Sequence, residues 1–152
     1  MTATDQTFSS LPKGKQTFKG SCHCGAVRYE ADLDLGSGST RCNCTFCAKL
    51  GAWMAQVQVG DFRLLSGAEQ LFDAHPNNPM VEGTTCRSCG IMAFGHGNVP
   101  EMGGEYYQVN VRCLDGVDVT GMSVLHLDGL HDTWAPLGTT VAAPPVPGAR
   151  PE

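Results

Sequence analysis

Seven of the eight cysteines fall in three tight clusters, and thiolates at these spacings point to metal ligation. The clusters read Cys22-His23-Cys24-Gly25, Cys42-Asn43-Cys44-Thr45-Phe46-Cys47 and Cys86-Arg87-Ser88-Cys89-Gly90. A Cys-x-x-Cys turn aims two sulfurs at one ion, and zinc takes such sulfurs in a tetrahedron at about 2.3 Å. Gly90 follows the last pair at once, where a turn often needs positive φ. In Cys-x-Cys on an extended chain, residues i and i+2 point the same way, so Cys22 and Cys24 can share an ion. The middle cluster combines both devices and could supply three ligands by itself.

Seven divides naturally into four and three. Cys22, Cys24, Cys86 and Cys89 would make a closed, structural site, tying the first strands to a hairpin more than sixty residues later. Cys42, Cys44 and Cys47 would make a second site with one open position, the arrangement catalytic zinc keeps. Cys22 and Cys24 could instead share a site with the middle cluster. Tetrahedral thiolate sites also accept iron.

These clusters must be positioned by short strands. Trp53, Ala55, Val57 and Val59 alternate with Met54, Gln56 and Gln58, and Tyr107 to Cys113 alternates in the same way. A period of two predicts strands with one buried face. Residues 26–30, 62–65 and 124–127 are further strand candidates, and 19 glycines punctuate the pattern. No long segment shows a 3.6-residue period, so the fold class is mainly β with little helix. Residues 1–15 read as a flexible arm, 16–138 as the metal-binding domain, and 139–152 as a Pro-rich tail.

Bulk properties narrow the function. A chain of 152 residues can bury a core without disulfide staples. A net charge of −5 without a basic block argues against nucleic acid as a partner. The apolar runs are too short to span a membrane, and the first residues lack the apolar stretch of a secretory signal. The expected location is cytoplasmic, where clustered thiols serve metals rather than disulfides.

The order of these motifs resembles the glutathione-dependent formaldehyde-activating enzyme family, which shares its domain with centromere protein V. The resemblance rests on Gly20 to Tyr29 with its Cys22-His23-Cys24, on Cys42-Asn43-Cys44-Thr45-Phe46-Cys47, and on Cys86-Arg87-Ser88-Cys89-Gly90. Residues 109–116 and the closing Trp134 also fit. It implies a small two-zinc β-tent domain of short antiparallel strands. Cys22, Cys24, Cys86 and Cys89 would hold the structural ion, and Cys42, Cys44 and Cys47 the catalytic one. It further implies a carbon–sulfur lyase that joins formaldehyde to glutathione, giving S-hydroxymethylglutathione. Two positions depart from the family pattern: Asn43 stands where histidine is frequent, and Thr85 where phenylalanine is frequent. Neither removes a ligand.

A soft metal with an open position can lower the pKa of a bound thiol or polarise an aldehyde. Three thiolates already bring negative charge, so thiol delivery is the favoured role. The partners are then a small aldehyde and a thiol such as glutathione, whose carboxylates could meet Arg41, Lys49 or Arg87 beside the clusters. The rival readings are a non-enzymatic zinc-binding module and a thiol or redox sensor. Cys113 reads as a buried core thiol on its strand. His23 points away from the cysteines beside it, and His96 reads as a turn residue. His75, His126 and His131 carry no motif. Asp115-Gly116 reads as a turn, and Trp53 as core or as a wall of the open site.

Overall fold

Twelve strands and one short α-helix make up the fold among residues 11–144, the part that the computed structural model describes. Residues 1–10 of the expected arm and 145–152 of the expected tail lie outside the described residues. In chain order the elements are β1 (Gln16–Ser21), β2 (Arg28–Leu33), β3 (Ser39–Cys42), α1 (Thr45–Leu50), β4 (Met54–Val57) and β5 (Phe62–Ser66). There follow β6 (Leu71–Asp73), β7 (Val81–Glu82), β8 (Thr84–Cys86), β9 (Phe94–Val99), β10 (Gly104–Asn110), β11 (Ser123–Leu127) and β12 (Pro136–Val141).

The strands form three sheets. One has the order β1-β2-β5, a second β12-β11-β3-β4-β10-β9-β7, and a third pairs β6 with β8. All pairings are antiparallel except β11 with β3. The period of two explains the core. On β2, Tyr29, Ala31 and Leu33 are buried while the intervening residues are not. They pack with Phe62, Ala55, Val57, Phe94 and Val109 from the other strands. Phe62 sits at the centre, 4.2 Å from the Tyr107 ring and 4.8 Å from that of Phe94, centroid to centroid. Gly20 lies directly across β1 and β2 from Tyr29, and a side chain there would run into the phenol ring. No described helix is long and apolar enough to cross a membrane.

Several expectations need correction. The strand expected to run to Cys113 stops at Asn110, whose side chain accepts from the Arg112 N–H and turns the chain into a 3-10 turn, Val111–Cys113. Cys113 is therefore half-buried on a turn rather than buried on a strand. His96 lies within β9, not a turn, between Glu82 and Glu105 at 3.8 and 3.1 Å. The strand seen at 26–30 begins at Arg28, because residues 22–25 are occupied by a turn. The chain is still paired at Thr139–Val141, residues assigned to the tail, because β12 continues against β11.

Candidate metal centre

Cys22 leaves β1 and enters a tight turn. Its N–H donates to the Val27 carbonyl at 3.0 Å, and the Gly25 N–H returns to the Cys22 carbonyl at 3.2 Å. Gly25 takes φ 79°, a left-handed conformation that suits glycine. The expected extended Cys-x-Cys is thus a turn, yet it brings the two sulfurs to 3.6 Å. Cys86 ends β8 and opens a second turn, closed by the Gly90 N–H on the Cys86 carbonyl at 2.8 Å. The sulfurs of Cys24 and Cys86 are 3.7 Å apart, and those of Cys22, Cys24, Cys86 and Cys89 all lie within 4.8 Å of one another. Sulfurs on a zinc tetrahedron are about 3.8 Å apart, whereas a disulfide is about 2.05 Å long. All eight cysteines are free. Burial opposes ionisation of Cys89, but the Cys24 and Ile91 N–H groups bring its thiol down to about 6. This donor set fits a closed thiolate site for a soft divalent metal.

The middle cluster is built by a strand end and a helix start. Cys42 is the last residue of β3, and Cys44 is the N-cap of α1. The Cys44 sulfur accepts from the Cys47 N–H at 3.4 Å, and the Cys42 sulfur from the Cys44 N–H at 3.4 Å. Gly51 ends the helix with φ 74° and donates its N–H to the Cys47 carbonyl at 2.9 Å. Burial raises the pKa of Cys42 and of Cys47. At Cys44 burial works upward too, but the Cys47 N–H and the neighbouring thiols outweigh it and lower the pKa. The sulfurs of Cys42, Cys44 and Cys47 lie within 4.8 Å of one another, and among the described residues no fourth Cys, His, Asp or Glu atom joins them. His75 stacks on Phe46 with ring centroids 4.2 Å apart instead of joining the sulfurs.

A cavity of about 260 Å³ opens beside this cluster, lined by Arg41, Cys42, Cys47, Ala52, His126 and Leu137 among others. Arg41 and Arg112 both lie against the buried Trp53 indole, 5.4 and 5.1 Å from its centre. Neither guanidinium has a carboxylate partner among the described residues. The Trp53 N–H donates to Ser39 Oγ at 2.6 Å, which fixes the ring.

The profile of the glutathione-dependent formaldehyde-activating enzyme family matches residues 17–124. The chain belongs to this family. A crystal structure of a Rhodobacter sphaeroides protein is similar, with 37% sequence identity, 66% of this chain and 90% of that chain covered, and a TM-score of 0.56.

In this member of the formaldehyde-activating family, the structure groups the seven cysteines as four and three, and Cys22 and Cys24 do not join the middle cluster. His23 is exposed, as expected. Lys49 is exposed in the last turn of α1, and Arg87 lies over Phe72 at 5.9 Å, beside the four-sulfur cluster rather than at the cavity. Thr85 is buried and donates its hydroxyl to the Gly83 carbonyl at 2.9 Å. The sequence reading missed Arg112, Asp128 and Gly129. Arg112 follows a strand whose end was misplaced, and the other two reach Asn43 and Cys42 only through the fold.

Proposed function

We propose that this protein is a carbon–sulfur lyase that forms or breaks a hemithioacetal between a small aldehyde, formaldehyde in the first instance, and a thiol such as glutathione. Cys22, Cys24, Cys86 and Cys89 would hold a structural zinc, and Cys42, Cys44 and Cys47 a catalytic one. The observation that carries this reading is a contrast between the clusters. Four sulfurs gather in one cluster, enough for a closed site, whereas the other cluster stops at three beside a cavity of about 260 Å³. When bound, zinc at three thiolates supplies a vacant position able to hold a thiol as thiolate at neutral pH.

The residues around the cavity do the rest. The Arg41 guanidinium, without a carboxylate partner among the described residues, borders it, backed by Trp53 and Arg112, and offers a charge for a substrate carboxylate in a chain of net charge −5. Ala52, Leu127 and Leu137 supply the apolar part of its lining. In the reaction the thiol sulfur bonds to the carbonyl carbon, the C=O π pair moves onto oxygen, and that oxygen takes the proton the thiol lost. No oxidant or reductant is needed. The reverse step breaks the same C–S bond. The thiolate sites suit a reducing compartment such as the cytoplasm.

Exchange NMR with formaldehyde and glutathione tests this. Zinc-loaded protein should speed interconversion of free glutathione and its hydroxymethyl adduct above the uncatalysed rate. An unchanged rate would leave a non-enzymatic zinc module as the better reading.

A further inference from the structure

The segment 128–134 is tied to the middle cysteine cluster from above. The Asn43 amide donates to Asp128 Oδ1 at 3.1 Å, and its carbonyl accepts from the Leu130 N–H at 2.8 Å. Asp128 is the hub of the segment. It also meets the His131 ring at 2.9 Å, and its carbonyl accepts from the Trp134 N–H at 3.0 Å. Asn43 stands between Cys42 and Cys44, so this latch sets the segment relative to the sulfurs.

Gly129 is the contact point. A side chain there would strike the Cys42 sulfur and would come within 2.9 and 3.0 Å of the Trp134 ring. The ring and the sulfur therefore border the same space. Trp134 is nonetheless 55% exposed, with Leu130 and Leu137 exposed nearby in sequence. It takes φ 56°, and among the described residues only Asp132 and Trp134 have positive φ without being glycine. A large side chain in this conformation is costly, and such strain is kept where geometry serves a site. An indole held out of the core in a strained conformation, beside a sulfur of the open cluster, is a surface for a ligand.

We propose that the Trp134 indole, held beside Cys42 by the Asn43–Asp128 latch, is the wall on which the aliphatic part of the thiol substrate packs. Trp134 is a binding residue here, and Asn43 a positioning residue. The inference rests on the thiol-binding reading of the three-cysteine cluster.

The experiment titrates glutathione into the zinc-loaded full-length protein, following tryptophan emission and, separately, heat. The chain has two tryptophans, and Trp53 is buried. Glutathione should change the emission, and Trp134→Phe should remove most of that change, the remainder coming from Trp53 beneath Arg41. Trp134→Ala should weaken binding roughly three- to tenfold. Asn43→Ala should weaken it as well, yet add little once Trp134 is already alanine, because the latch acts through the indole. Unchanged affinity in Trp134→Ala, an undiminished emission change in Trp134→Phe, or full additivity of the two alanine variants would overturn the proposal while leaving the thiol-binding reading intact. No glutathione binding by the wild-type protein would overturn both.

Discussion

The sulfurs of Cys24 and Cys86 lie 3.7 Å apart although the residues are 62 positions apart in the chain. Two separate turns, one after β1 and one after β8, meet there. The first turn belongs to the three-stranded sheet and the second to the two-stranded sheet. A metal at this junction would tie the two sheets together at a second place, beyond the short link 67–70 between β5 and β6.

Cys86→Ser should therefore unfold the protein. Cys86 is fully buried, and a structural zinc contributes on the order of 10 kcal/mol, comparable with the whole stability of a domain. Circular dichroism should show no cooperative melt, and strong chelation of the wild-type protein should do the same. A Cys86→Ser variant with a wild-type melt would mean that the four-sulfur cluster is not structural.

The core contains one side chain whose polar atom gains nothing. Among the described residues, Tyr29 Oη is the buried side-chain oxygen or nitrogen without a hydrogen-bond partner. Tyr29→Phe should leave stability unchanged or raise it by about 1 kcal/mol, because no bond is lost and desolvation is relieved. Gly20→Ala should cost roughly 1–3 kcal/mol, since the new methyl would overpack against the phenol ring. Urea unfolding of the zinc-loaded variants gives both values.

Acid should weaken the three-stranded sheet at a defined point. Arg63 grips Asp32 at 2.8 and 3.0 Å, Thr17 donates to it at 2.7 Å, and these bonds bring its carboxyl down to about 2 from an ordinary 3.8. A depressed aspartate stabilises the fold above its unfolded value, and that contribution is lost as pH falls through the folded one. Wild type should melt above Asp32→Asn near neutral pH, and the gap should narrow as the pH falls toward the ordinary carboxylate range. The two are compared only at pH values where both keep their zinc. A gap that stays constant over this range would show that the pair contributes nothing.

Much of this was legible in the chain. The strand through Tyr29 follows from alternation, because one of its faces lies on the core, whereas the alternation read from Trp53 to Val59 holds only to Val57 and Val59 is exposed in a 3-10 turn. The grouping of Cys86 with Cys89 follows from one turn. The short α1 escaped notice because six residues are too few to show a helical period. β12 escaped because all its residues are exposed and it shows no alternation. The latch from Asn43 to Asp128 spans 85 positions and depends on β3 and β11 lying side by side, which no local pattern encodes. Arg112 was hidden for a related reason, as it reaches Trp53 only because β10 pairs with β4.

The division of labour between the two clusters is tested most directly at Cys44. This residue belongs to the three-sulfur cluster, where its side chain caps α1 and lies away from the large buried core. Exchange NMR of formaldehyde and glutathione should be run with zinc-loaded wild type and Cys44→Ser, alongside their melts and zinc contents. The expected result is a folded Cys44→Ser with one zinc per chain and exchange at the uncatalysed rate, against two zincs and accelerated exchange in the wild type. Accelerated exchange undiminished in Cys44→Ser, or no acceleration by the wild type, would contradict a catalytic role for this cluster.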